Sequence, residues 1–367
     1  MRILLKRLLG RFYPGRWDGK LVLRRSRPGV RPRSPRKPPG STVARLDNIC
    51  HTLVGAALGE AGLRRTTPLA MATLLVGANL PDVDAVTYMF SDAPTSFEFR
   101  RGWTHGALAM AVLPLALAGA MTAWDRLVRR RRHREKVAAS FPALLFLAFV
   151  SVLSHPILDF LNTYGVRFLY PFSKRWFYGD ALFIVDPWVW IVLAVGIGWA
   201  AVRRRRRHAH PETPARVAVG TTAAYVGLML LSSSAGRGLV VREAATAGLS
   251  PGRVIVSPEA LDPLRRTVSL EVPGGYRLGK LRWFARPTLT LAPDFIPRNE
   301  RNPWAVAAAG TRDGRKFLVW ARFPHFVVRP EGEGATVTIR DARYPGQFGS
   351  WALARVKLPA RPATVSP

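Results

Sequence analysis

Apolar residues are bunched along this chain rather than spread, and the bunches have the length of membrane spans. Continuous apolar runs cover about residues 102–124, 138–161, 183–202 and 215–234. Each is close to the ~20 residues a helix needs to cross a bilayer. Gly, Ala and Ser recur within them, as expected where helices pack closely in lipid. Two shorter segments come first. Residues 47–63 read as a helix capped by Asp47, and residues 68–81 as a second, opened by Pro68 and broken at Pro81. The turn Arg64-Arg65-Thr-Thr between them makes the pair a hairpin.

From about residue 240 the period changes from helical to alternating. Val254-Ile-Val, Thr267–Val272, Thr288–Leu291, Lys316–Phe323 and Ala335–Arg340 alternate, with Pro and Gly between them. That is strand spacing with turn signals. The fold class expected is α+β: a multi-span transmembrane helical bundle over residues 43–235, then a small, β-rich, water-exposed domain over 240–360. Residues 1–42 are rich in Arg and Pro and read as a disordered basic extension.

Charge adds topology. The chain carries 55 Lys and Arg against 23 Asp and Glu, a formal charge of +32. Such an excess suits nucleic acid, but the runs Arg129–Arg134 and Arg203–Arg207 directly follow apolar segments, where positive-inside anchoring explains them. No nucleic-acid partner is expected; the bilayer is. The short basic loops at 64–65, 126–136 and 203–207 then lie in the cytoplasm. The loops at 85–101 and 162–182 and the C-terminal domain lie on the far side of the inner (plasma) membrane. The thirteen Lys and Arg of residues 1–42 oppose moving that segment across. Val43 fits a GTG start, so residues 1–42 are expected to be an extension of the gene reading rather than part of the natural protein.

Acid and imidazole groups stand inside this apolar sequence, where they are costly without partners. His155 and Asp159 are four apart on one helix face. Asp82 and Asp84 follow Pro81 and, in extended chain, point the same way. His105 opens the next span beside Thr104, a candidate cap, and His51 lies in the first helix. A single cysteine, Cys50, excludes a disulfide framework and a thiolate metal site within one chain. His51, Asp82, Asp84, His105, His155 and Asp159 form an N/O donor set for a divalent ion, zinc first, with manganese or iron also fitting, and large enough for two ions. A bound ion brings water toward a pKa of about 7, and Asp84, Asp159 and Asp180 are the candidate general bases. Arg101, Arg167, Lys174 and Arg175 are candidate groups for an anionic substrate such as a phosphate. Each feature also has a plain structural reading: a packing histidine, an interhelical pair, capping carboxylates, headgroup contacts. Their joint placement at one rim argues for the metal.

At these residues the chain resembles the bacterial YdjM-like inner-membrane family, described as metal-dependent hydrolases and as LexA-binding. The matching elements are Asp47-Asn-Ile-Cys-His51-Thr-Leu-Val-Gly, Pro81-Asp-Val-Asp84, Arg101-Gly-Trp-Thr-His105 and Ser154-His-Pro-Ile-Leu-Asp159 with Thr163-Tyr-Gly165. The resemblance covers roughly residues 43–235 and implies a membrane protein with a metal-dependent hydrolase site. Two positions depart from it: Arg100 stands where the family often has His, and Cys50 where Thr is usual.

The function expected is an integral membrane hydrolase in which metal-activated water attacks an ester, a phosphoester of a lipid or lipid-linked molecule. The alternative is a non-catalytic membrane metal-binding, regulatory or scaffold protein. The sequence leaves the substrate, the metal and the oligomeric state open.

Overall fold

The structure is a computed structural model that describes residues 40–86, 98–132, 137–284, 286–345 and 352–359, with residues 40–47 as backbone alone. Most of the expected basic extension lies outside them. Its last three residues do not read as disordered, because α1 (Gly40–Glu60) begins there. Asp47 is therefore inside a helix and not its cap. A turn leads back into α2 (Ala70–Gly77), and a 3-10 turn, Leu80–Val86, follows. Next come α3 (Ala107–Trp124), α4 (Phe141–Leu161), α5 (Pro187–Arg205) and α6 (Thr213–Thr246).

Among the described residues, three helical stretches are long and apolar enough to cross a membrane: Ala107–Arg132, Phe141–Leu161 and Thr213–Thr246. The span expected over 183–202 is not among them. In α5 three tryptophans and the terminal Arg203–Arg205 dilute the aliphatic residues. Half of the apolar window of Phe141–Leu161 is buried, against 22% and 17% in the other two. Thus α4 is the centre of the bundle, and the other two turn apolar faces outward. Pro156 does not break α4, which runs through it to Leu161. Close helix contacts rest on small residues: a Cβ at Gly77 would overlap Ser151 of α4, and one at Gly196 would overlap Ala218 of α6.

The basic loops meet at one end of the bundle. Glu60 of α1 pairs with Arg64 and with Arg204 of α5, and Arg65 lies 3.3 Å from Glu212. At the same end Arg216 Nε donates to the Ala61 carbonyl at 2.8 Å, and Ser140 N donates to Thr67 Oγ1 at 2.8 Å.

Among its described residues, the C-terminal half holds two antiparallel sheets. The first has the order β1 (Val254–Pro258), β2 (Arg265–Val272), β3 (Gly275–Arg282), β4 (Thr288–Pro297). It packs on the end of α6, where Val240 meets Val256, Val268 and Leu281, and Ala244 meets Leu270 and Val272. The helix therefore continues well past residue 235 into the β-rich half. Two short helices, α7 (Pro303–Gly310) and α8 (Arg312–Leu318), precede the second sheet of β5 (Pro324–Glu331), β6 (Gly334–Asp341) and β7 (Leu353–Leu358). The strand expected over Lys316–Phe323 is instead the end of α8 and a turn. Thr311 Oγ1 accepts from Gly314 N and caps the helix, and Phe317 of the helix packs in one buried cluster with Trp320 of the turn that follows. The second sheet buries Phe326, Val337, Ile339 and Val356 together with Phe317, Trp320 and two residues of the 162–182 loop, Tyr164 and Trp176.

Candidate metal centre

Four elements meet opposite the basic end: the middle of α1, the 3-10 turn, the residues before α3, and the last turns of α4. They bring His51, Asp82, Asp84, His105, His155 and Asp159 together, each at most 8% exposed. The imidazoles of His51 and His155 stack with centroids 3.6 Å apart, and His105 meets His155 edge-on at 4.9 Å.

The orientation of His155 defines the centre. Its Nδ1 lies 2.7 Å from the carbonyl oxygen of Ala78, which can only accept, so Nδ1 donates. Nε2 then faces Asp82 Oδ1 at 3.7 Å and Asp159 Oδ2 at 3.6 Å and makes no hydrogen bond. In a neutral ring this points a lone pair at two carboxylates. His105 is set the same way. Thr104 Oγ1 donates to Asp84 Oδ2 at 3.1 Å and takes the Nδ1 proton of His105 at 2.9 Å. His105 Nε2 then faces Asp159 Oδ2 at 3.2 Å and Asp82 Oδ1 at 4.0 Å. Thr104 thus orients His105 instead of capping α3, whose N-cap is Gly106. His51 Nε2 approaches Asp159 Oδ1 at 3.6 Å.

Donors about 2.1 Å from a common cation stand roughly 3.0–3.5 Å from one another. Among the described residues, two groups approach that spacing: His51, Asp82 and His155, and His105, His155 and Asp159. In each, one ligand atom per residue lies within 4.8 Å of the others. The donor set is imidazole and carboxylate, which suits zinc, manganese or iron. Burial holds His105 below the usual imidazole range and so favours its neutral, ligating form. For Asp82 burial acts in the opposite sense, but His155, when it carries a proton in place of an ion, and Arg100 outweigh it and keep the carboxyl well below the usual range. The residues fit a divalent ion.

Asp84 is near but stands outside both groups. It accepts from Arg100 Nη1 at 2.8 Å, from the Arg101 N–H at 2.8 Å and from Thr104. The reason is the backbone. Residues two apart in a 3-10 turn point about 240° apart, so Asp82 and Asp84 diverge instead of pointing together. Asp180 is not brought to the imidazoles. Both its oxygens engage Arg322 Nη1, at 2.8 and 2.9 Å.

The four cations expected to meet an anion divide. Arg101 is at the centre, its Nη2 2.7 Å from Asp159 Oδ1. Arg167 is buried and committed to the carbonyls of Glu98 and Arg100; it fills the space that a Cβ on Gly102 would take. Lys174 and Arg175 are exposed, and Arg175 lies over the Phe177 ring. Sequence reasoning missed Asn162, whose Oδ1 accepts from Arg101 Nη1 at 3.2 Å, and the carboxylate-bridging role of Arg100, 3.5 Å from Asp82 and 2.8 Å from Asp84. Arg100 was legible only as a departure from the expected His; Asn162, just beyond Asp159, carried no signal.

A sequence profile of the YdjM inner membrane protein family matches residues 46–235, more than half of the chain and all six donors. The chain belongs to the YdjM inner membrane protein family. Among similar proteins, the uncharacterized protein YfhP of Bacillus subtilis (strain 168) is 26% identical over 167 residues, covering 42% of this chain and 47% of that protein. The inner membrane protein YbcI of Escherichia coli (strain K12) is 30% identical over 177 residues, covering 41% of this chain and 95% of YbcI. The chain thus spans about half the length of YfhP. No solved structure matches it. The YdjM segment contains the centre and ends at residue 235, so the two sheets lie beyond it.

Proposed function

We propose that this protein is an integral, multi-pass inner-membrane hydrolase whose centre holds a divalent cation, zinc first and manganese or iron next. The reading is carried by one observation: His155, tied through Nδ1 to Ala78, aims Nε2 between the carboxylates of Asp82 and Asp159. A cation there would be held by the His155 Nε2 lone pair and by the Asp82 and Asp159 carboxylates. When bound, the ion supplies hydroxide near neutral pH and polarises an ester oxygen.

The residues divide the remaining work. His51, Asp82, His105, His155 and Asp159 hold the ion. Asp84 and Thr104 fix the His105 ring. Asp159, facing Arg101, is the carboxylate closest to all three imidazoles and is the proposed proton acceptor. The substrate proposed is a phosphoester of a lipid or lipid-linked molecule, because the centre sits at the bundle end opposite the basic loops. There the exposed Lys174 and Arg175 meet an anionic headgroup. By positive-inside orientation that end, with the C-terminal domain, faces away from the cytoplasm. A second reading is a closed, non-catalytic metal site, favoured by the burial of all six groups.

Elemental analysis of the detergent-purified protein tests the shared premise. Wild type should carry stoichiometric metal, and His155→Ala should lose it while eluting as folded protein. Metal-free wild type, or an unchanged metal content in the variant, would sink both readings. Turnover of lipid-linked phosphoesters that disappears on chelation then separates the hydrolase from the closed site.

A further inference from the structure

The loop after Asp159 is held from outside the family-matched segment. The Thr163 carbonyl accepts from Arg343 Nη1 at 2.8 Å and from the Tyr344 hydroxyl at 3.1 Å. The next carbonyl, Tyr164, accepts from Trp320 Nε1 at 3.0 Å. Arg343 is itself fixed by the buried Asp341, which it meets at 2.9 Å. The other side of the same loop carries the centre. Arg101 Nη1 donates to Asn162 Oδ1 at 3.2 Å and to the Gly165 carbonyl at 3.1 Å, and its guanidinium lies 4.7 Å from the Tyr164 ring centroid. Arg101 Nη2 then reaches Asp159 Oδ1 at 2.7 Å. A second strap joins Lys316 of α8 to Glu98 at 3.1 Å, just before the Arg100–His105 element.

We infer that the C-terminal domain completes the cation centre: Arg343, Tyr344 and Trp320 are positioning residues that hold the 163–165 backbone, and through it the Arg101–Asp159 pair, in the geometry that accepts the ion. The inference rests on the metal reading above. Three directed donors on two consecutive carbonyls fix the height and rotation of this loop, whereas apolar packing alone would let it slide. Each donor comes from residues 320–344, beyond the end of the family match at 235. The segment 46–235 alone therefore has the ligands but not the clamp.

Cobalt(II) is the probe, bound to the full chain in detergent. Arg343→Gln and Tyr344→Phe should change the shape of the visible d–d absorption and speed cobalt release to a chelator about tenfold, the low end for outer partners of a metal ligand. Val268→Ala, in the core of the other sheet, should lower the unfolding temperature while leaving spectrum and release at wild-type values. If Arg343→Gln does not fold, Tyr344→Phe, which keeps its ring and loses only the hydroxyl, and Trp320→Phe, which keeps an aromatic ring and loses the donor, carry the test. Wild-type spectra and release rates in the folded clamp variants would overturn the inference, as would an equal change in Val268→Ala. Wild type that binds no cobalt, or His155→Ala that keeps the wild-type spectrum, would instead overturn the metal centre and this inference with it.

Discussion

A buried histidine that gives its Nδ1 proton to a fixed acceptor has only Nε2 left for chemistry. His155 and His105 are both in that state, one held by Ala78 and the other by Thr104. Asp84 acts one step behind, since it holds the Thr104 hydroxyl and therefore the His105 ring. Asp84→Asn should lower metal affinity about 10- to 100-fold, the usual cost of losing an outer partner, while His155→Ala abolishes binding. Competition titration with a chromophoric chelator measures both, and equal losses would place Asp84 among the ligands. The six side chains that cluster here were legible because charge in an apolar run is conspicuous. Their division of labour was not, since it depends on whether Asp82 and Asp84 lie in extended chain or in a 3-10 turn. Asp180 misled for a related reason. Its partner Arg322 is 142 residues away, a distance no local pattern spans.

At the scale of elements, the centre depends on how closely α2 approaches α4, because the 3-10 turn that carries Asp82 follows α2 directly. Gly77 permits that approach by leaving its Cβ position to Ser151. Gly77→Ala should destabilise the protein by about 1–3 kcal/mol through overpacking. Gly77→Ala with Ser151→Ala should recover most of this, since the overlapping hydroxyl is gone. Thermal unfolding in detergent would show it, and a single variant as stable as wild type would mean that the helices separate freely. The long apolar helices around 102–124, 138–161 and 215–234 were readable from apolar length, and most strands from alternation. The Lys316–Phe323 stretch was not, because its alternating pattern fits a strand as well as a short capped helix. The Thr311 cap that decides between them draws only on local hydrogen bonds.

The whole molecule is polarised: ion-paired basic loops at one end, the imidazole cluster and both sheets at the other. With Cys50 replaced by Ser, a single cysteine at the exposed Ser250 should react with an impermeant maleimide in intact spheroplasts, and one at the exposed His208 only after lysis. The reverse pattern would invert the proposed orientation. The sequence carried this polarity in its Lys and Arg runs, but not the docking of the second sheet on the 162–182 loop, which is built from pairs far apart in the chain.

One element joins the two ends. Helix α6 has 34 residues, about 51 Å at 1.5 Å each, against a hydrocarbon layer of about 30 Å. The surplus of roughly 20 Å is about its last 14 residues, the stretch where Gly236, Val240 and Ala244 seat the first sheet. The connection is thus a strut of set length and angular phase, not a tether. Lengthening it by one residue would lift the sheets about 1.5 Å and swing them about 100°, so its residue count sets the height and the rotation of the sheets together.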